Sequence, residues 1–531
     1  MRFECLMLCL CLCFFAVAQE NMAENTANSK PLVELQYGED WTVFHRFQCI
    51  PNNQLNKPFI YFQGRLEVNE ESKYVMYKFN SQTLKAEDSI LYDLEIFKNG
   101  WGTPFNQKVL GNRIIQLFSG FTKEGRSQSL LKLEFDANSL RRSGFTNAYE
   151  VDSKKQWHNV VRAKWSVNDS LILAFVSLKT PADQNEKVAV CLMNANFDRL
   201  FEATIDFEKK SKDLTMEDLV VLNDGSVYLS GSKRIRGQQK KDDVVEKREL
   251  FLYKLDTRTQ DLQEYDLGLQ EYRVYQLDLT TDEYGNDLII SGLYDGIAGR
   301  VGTFFGMIKK QENALAELSI HPFPVDHFDV AYAYNRKKTP KKLEKRGLNM
   351  YLAFKGVYNM SNQSYTVLYE EKYTIDPNGP STFVAGPIIY MNYKANGQLN
   401  YSGIITKNLR QYSHTASNIQ GAAVIKRGDA LHLIYNDDKG TFVVKDSTKR
   451  PGVFNRSYEW FLTMYTIQLS GETSEVALDK FRLEPINRFF FTEYLQPISD
   501  KNDEFFLPLG ISPQYKTKLN GLKLAKLKFL D

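Results

Sequence analysis

Tyr74-Val75-Met76-Tyr77-Lys78-Phe79-Asn80 is the stretch that decides the fold of this chain. Apolar residues alternate through it, it ends on a turn-forming Asn, and a second strand pattern follows. The signature returns at Leu131-Lys132-Leu133-Glu134-Phe135-Asp136, at Val188-Ala189-Val190-Cys191-Leu192-Met193-Asn194 and at Leu250-Phe251-Leu252-Tyr253-Lys254-Leu255-Asp256. Weaker copies begin at Phe304, Ile389 and Phe461. The equivalent positions Phe79, Phe135, Met193, Leu255 and Ile308 lie 56, 58, 62 and 53 residues apart. An all-strand repeat of roughly fifty to sixty residues predicts a β-propeller.

Each repeat reads as an inner strand, a middle pair and an outer strand. Asn223-Asp224-Gly225 precedes Ser226–Gly231, and Tyr284-Gly285-Asn286 precedes Asp287–Gly292, two matching glycine turns that each lead into a strand ending Ser-Gly. Near the start, Pro31–Tyr37 is a lone strand with Val33, Leu35 and Tyr37 on one face, and Leu522–Phe529 is a strand at the end. Pairing the two would complete a mixed blade and remove exposed edges. The expectation is therefore all-β: one closed propeller of eight four-stranded blades, or seven if the terminal strands merely lengthen a neighbour. A series of open two-sheet sandwiches is the rival architecture.

Arg2, the apolar run Leu6–Phe15 and Ala16-Val17-Ala18 predict a signal peptide over 1–18, with a propeller domain over 19–531. The run is too short to span a bilayer comfortably, and no later segment is apolar enough to do so. Of six cysteines, Cys5, Cys9, Cys11 and Cys13 would leave with the signal, so Cys49 and Cys191 form no disulfide framework. A Cys49–Cys191 bridge is conceivable, but Cys191 reads most simply as a small core residue. With 35 Phe and 29 Tyr, the fold can rest on burial instead. A net charge of +2 gives the whole protein no pull toward nucleic acid or membrane.

Little chemistry is legible. Phosphate loops, zincin motifs and nucleophile elbows are missing. His321 and His327, with Asp326 and Asp329, lack a third ligand at diagnostic spacing, so no metal and no cofactor are expected. The acidic turns Asp282–Asp287 and Asn436–Gly440 could hold calcium, but hairpin geometry itself demands Asp, Asn and Gly. Three insertions read as surface loops: 233–248, 336–346 and the Gly/Pro segment Ser381–Pro387. The first two cluster Arg234, Arg236, Lys240, Lys241 and Arg336, Lys337, Lys338, Lys341, Lys342, which could attract an anionic polymer. Trp101, in a Gly/Pro-flanked loop, and Trp157, beside His158, could stack on sugar rings.

With its signal ending Ala-Val-Ala-Gln, its recurrent hairpins, Tyr390–Gly397 and Leu433–Asp437, the chain resembles uncharacterised exported β-propeller-like proteins of Bacteroidota. That resemblance implies an envelope or secreted location and carries over no catalytic residue. No separate C-terminal sorting domain is visible, which favours the periplasm. The leading expectation is a non-enzymatic binding or scaffold protein whose partner is an envelope protein or a polysaccharide. The competing class is a polysaccharide-active hydrolase or lyase with carboxylates at the channel mouth.

Overall fold

The computed structural model describes Val33 to Leu530 outside segments 42–45, 53–57, 69–70, 93–103, 122–126, 153–159, 179–180, 182, 211–213, 235–247, 296–300, 316–317, 324–351, 376–381, 408, 413–420, 439–458, 483–485, 491, 499–502 and 514–520. The described chain is almost entirely strand, divided into eight antiparallel sheets arranged in a ring. Blade 1 comprises Arg46–Cys49, Phe59–Val68, Glu71–Asn80 and Ala86–Tyr92. Blades 2 to 7 repeat the plan, beginning at Pro104, Arg162, Leu214, Arg273, Leu352 and Ala423. Blade 8 is the composite: Ile486–Phe490, Glu504–Pro513 and Gly521–Phe529, completed by the N-terminal strand Val33–Trp41. Val33 pairs with Phe529 and Trp41 with Leu522 across that closure. This is an eight-bladed β-propeller closed by its own first strand.

Every copy of the decisive signature is the third strand of a blade, from Glu71–Asn80 in blade 1 to Glu459–Gln468 in blade 7. Its terminal Asn or Asp has a local task. Asn80 Oδ1 accepts the backbone N–H of Gln82 (2.9 Å) and Thr83 (3.0 Å). Asp136 Oδ1 accepts Asn138 and Ser139, Asn194 Oδ1 accepts Asn196 and Asp198, and Asp256 Oδ1 accepts Arg258 and Thr259. Each side chain thus holds the turn that follows it, and Leu84, Leu140, Phe197 and Gln260 adopt positive φ there without glycine. These backbone bonds also keep the Asp136 and Asp256 carboxyls below the usual range.

Packing between blades alternates with this ladder. Leu133 and Phe135 of blade 2 pack with Tyr61 and Met76 of blade 1, and Leu173 and Val190 of blade 3 with Leu219 and Leu229 of blade 4. Comparable buried clusters join blades 2–3, 4–5, 5–6, 6–7 and 7–8. Phe62 against Phe506, ring centroids 5.7 Å apart, brings blade 1 onto blade 8. Cys49 and Cys191 are both free and buried, in blades 1 and 3, and burial pushes the Cys191 thiol up to about 12. They form no bridge.

Two readings of the sequence change. Ser381–Pro387 is no loose segment, because its residues from Thr382 onward open the strand Thr382–Tyr393. Gly386 and Pro387 fall at the register shift where Ala385 pairs Lys372 and Ile388 pairs Glu370. A proline is tolerated at such a bulge because no ladder hydrogen is needed there. Asn436 and Asp437 belong to the buried end of the strand Ala430–Asp438 rather than to a turn. By contrast, Asp282 does serve its turn, accepting the N–H groups of Asn286 and Asp287.

Connections differ between the two faces of the disc. Most turns joining first to second and third to fourth strands are short hairpins, such as Leu110 to Arg113, Arg427 to Ala430 and Gln468 to Thr473. The longest connections join second to third strands or one blade to the next, as from Asp438 to Glu459 and from Pro322 to Leu352. An up-and-down blade places those two classes on opposite faces. The tight-turn face is bonded from blade to blade. Lys108 pairs Asp169, Asn168 N–H donates to Asn223 Oδ1 (3.1 Å), and Asn223 N–H donates to Gly285 O (2.9 Å). Asn223 Nδ2 also donates to Tyr284 O at 2.5 Å.

Gly285 is needed twice over. Its φ is +67°, and a Cβ there would sit 2.5 Å from Asn223 Nδ2. Gly285→Ala is expected to destabilise by about 1–3 kcal/mol, whereas Gly111→Ala, at positive φ with open space around it, loses only the smaller conformational part. Urea midpoints of the two variants check this.

Candidate functional site

The first strand of each blade is innermost. First strands of blades 4, 5 and 6 approach one another in turn, while the fourth strand Arg199–Lys210 exposes alternate residues. The inner strands therefore wall an axial channel, and their half-buried polar residues face it.

On the side of blades 3 to 5 the wall carries Lys164, Asp218, Gln276 and Asp278. Lys164 Nζ lies 2.5 Å from Asp218 Oδ1. Gln276 Nε2 donates to Asp278 Oδ1 at 2.8 Å, and Asp278 Oδ2 is buried with no partner among the described residues. Burial, reinforced by the charge of Asp218, pushes the Asp278 carboxyl up to about 7. Behind it the Tyr369 hydroxyl is bonded to Ser291 Oγ and approaches Thr303 Oγ1 at 3.4 Å, in a fully buried setting.

A second charged cluster occupies the side of blades 6 to 8. Glu370 and Lys407 are completely buried and paired through Glu370 Oε1. Lys355 and Lys372 approach Glu370 Oε2 at 3.3 and 3.4 Å. Both also meet Glu493, on a short 3-10 turn at Thr492–Tyr494 in blade 8. The Ala422 N–H donates to Glu370 Oε1 (3.2 Å), and Thr492 Oγ1 donates to Gly421 O. Burial alone would raise the Glu370 carboxyl, but Lys407, Lys355 and Lys372 together hold it down to about 2. Glu370 is therefore ionised at neutral pH, and the three lysines are largely spent on it and on Glu493.

A polar cavity of about 240 Å³ lies between blades 3 and 4, beside Arg162, Glu186 and Glu217. Its carboxylates are engaged, since Ser177 donates to Glu186 and Ser232 donates to Glu217 (2.6 Å).

The residues nominated from sequence fall elsewhere. Trp101, Trp157, Arg236, Lys240, Lys241, Arg336, Lys337, Lys338, Lys341 and Lys342 lie outside the described residues. Arg234 ends the strand Val227–Arg234, in register with Arg248. The described strand ends that flank all these positions emerge on the long-connection face. His321 packs against Tyr393 (centroids 5.4 Å apart) and burial lowers its pKa, while His327 lies outside the described residues. Among the described residues no group of His, Cys, Asp and Glu is arranged to hold a metal, and no helix is long and apolar enough to cross a membrane.

The Asp278 carboxyl gives a direct pH test. Its folded pKa is raised, so protonation favours the fold below about 4, and that contribution is lost as pH rises toward about 7. Asp278→Asn keeps the acceptor for Gln276 and removes the penalty. The variant is expected to match the parent near pH 4 and to exceed its stability at pH 8 by roughly 2–4 kcal/mol, read from urea midpoints at both pH values.

Neither a family model nor a curated protein matches the chain. Solved structures similar to it include the WD40 domain of SCAP from fission yeast, with 7% identity and a TM-score of 0.39 over 94% of this chain and 99% of that one. The polysaccharide lyase Uly1 aligns at 9% identity and a TM-score of 0.34, covering 83% of this chain and 92% of that one. The β-propeller domain of the Trilobed protease from Pyrococcus furiosus aligns at 8% and 0.35, covering 83% and 97%.

Proposed function

We propose that this chain is an exported, non-enzymatic propeller that acts as a binding or scaffold protein in the cell envelope. The observation that carries this reading is the asymmetry of the disc. One face is short turns bonded to one another, and the other gathers the long connections, which can vary without disturbing the ring. Both basic insertions belong to connections of that second class. Most channel charges are consumed in mutual ion pairs, which suits a rigid support better than a reaction centre. Export rests on the N-terminal sequence Arg2–Gln19. The partner is an envelope protein or a polysaccharide.

The test immobilises the protein against neutral and acidic glycans and against solubilised envelope at rising salt. A second sample carries Gln at Arg336, Lys337, Lys338, Lys341 and Lys342. Retention of an intact partner, weakened by the substitutions and by salt, supports the reading. No retention of any partner overturns it.

One observation favours a second reading, a polysaccharide-active enzyme. Asp278 and Asp218 are neighbouring carboxyls whose surroundings push their protonation apart, as an acid and base pair requires. Shortening of a retained glycan that Asp278→Asn abolishes would select it.

A further inference from the structure

We propose that a cleft on the tight-turn face binds neutral oligosaccharides, separately from the long-connection face assigned above to the partner. The cleft has a volume of about 810 Å³ and draws its walls from blades 5, 6, 7 and 8. Sites for small organic ligands typically run from about 300 to 1,000 Å³. At its rim stands Tyr284, 63% exposed and conspicuous among large side chains otherwise buried. At its floor lies Phe505, almost fully buried. Together they offer two apolar surfaces to the C–H faces of a pyranose chain.

Polar groups converge between them. Asn359 Oδ1 is a buried acceptor with no partner among the described residues. Asp429 Oδ1 accepts from Ser361, which takes one of the roughly four lone-pair positions of a carboxylate and leaves capacity for ligand hydroxyls. Glu283 accepts Lys426 Nζ at 2.6 Å, so the cation is already engaged. Glu283, Asp429 and Lys426 together leave the cleft with one net negative charge, which disfavours uronates and sulfated sugars. Acceptors for hydroxyl donors, flanking rings and a surplus of negative charge select a neutral, polyhydroxylated chain. The turns that carry these groups are held by their own backbone bonds, such as Gln363 N–H to Met360 O and Gly285 N–H to Asp282 O, so binding need not order them.

Calorimetric titration of the full mature protein with cellohexaose, mannohexaose, laminarihexaose and maltohexaose tests this, with polygalacturonate as the acidic control. At least one neutral hexasaccharide is expected to bind. Tyr284→Ala and Asp429→Asn are each expected to weaken it more than about tenfold, with melting curves unchanged because both residues are exposed. Failure of all four neutral probes overturns the proposal, as does preference for polygalacturonate. Binding that both variants leave intact also overturns it, while sparing the general reading of the protein as a binder. That general reading falls only if the glycan and envelope retention experiment above is also empty.

Discussion

Glu370→Gln is expected to cost about 3–5 kcal/mol, the range for uncoupling a buried ion pair. The loss falls on Lys407, which is fully buried and would keep its charge with no counter-ion in contact. Lys355 and Lys372 would lose their second partner and lean on Glu493 alone. Lys407→Met should cost distinctly less, because Glu370 would keep two cations at 3.3 and 3.4 Å. That ordering separates a hub carboxylate from a simple pair. The acid limb gives an independent check. The folded pKa of about 2 lies below the ordinary 4.5, so the contribution is complete above about 4.5 and is lost as pH falls toward 2. Denaturant midpoints should therefore drop across that window in the parent and stay nearly flat in Glu370→Gln.

Removing the strand Val33–Trp41 should have an effect of the same order as the whole stability of a domain, about 5–15 kcal/mol. The strand Gly521–Phe529 would then expose a row of unpaired backbone groups with Leu524, Ala525 and Leu527 behind it. Two outcomes are expected together: a broadened, lowered melt, and association through the open edge, seen by light scattering after size-exclusion chromatography. A synthetic peptide covering Val33–Trp41, added in trans, should restore the monomer by strand addition. A truncated chain that stays monomeric with the parental melt would show that blade 8 does not depend on its closing strand.

The architecture was legible because the repeat is written in local chemistry. A strand ending in Asn80, Asp136, Asn194 or Asp256 carries both its alternation and the acceptor that caps its turn. Closure was legible for a similar reason, since an isolated amphipathic strand at each end leaves one economical pairing. The charged hubs were not legible. Asp278 sits in Leu277-Asp278-Leu279, an ordinary alternation in which the polar side would normally meet bulk water. In a ring, the outward side of an innermost strand faces the channel instead. Glu370 left a faint mark, since Glu370-Glu371-Lys372 interrupts an otherwise apolar strand, Tyr365–Ile375. Its partners Lys355, Lys407 and Glu493 come from sites up to 138 residues apart, which no spacing rule links. The basic residues drew attention because they were clustered, whereas these ion pairs assemble only once the ring has closed.

Two contacts skip a blade: Lys426 of blade 7 reaches Glu283 of blade 5, and Glu493 of blade 8 reaches Lys355 of blade 6. Propellers diversify readily by duplicating or losing whole blades, because each repeat meets only its neighbours. Here that freedom is curtailed along one arc. A copy inserted between blades 5 and 8 would part both bridges and strand Lys407 and Glu370 beside foreign sequence. Gain or loss of a repeat is therefore tolerable only between blades 1 and 5, where the inter-blade contacts described are between adjacent blades. The arc from blade 5 to blade 8 is inherited as one block.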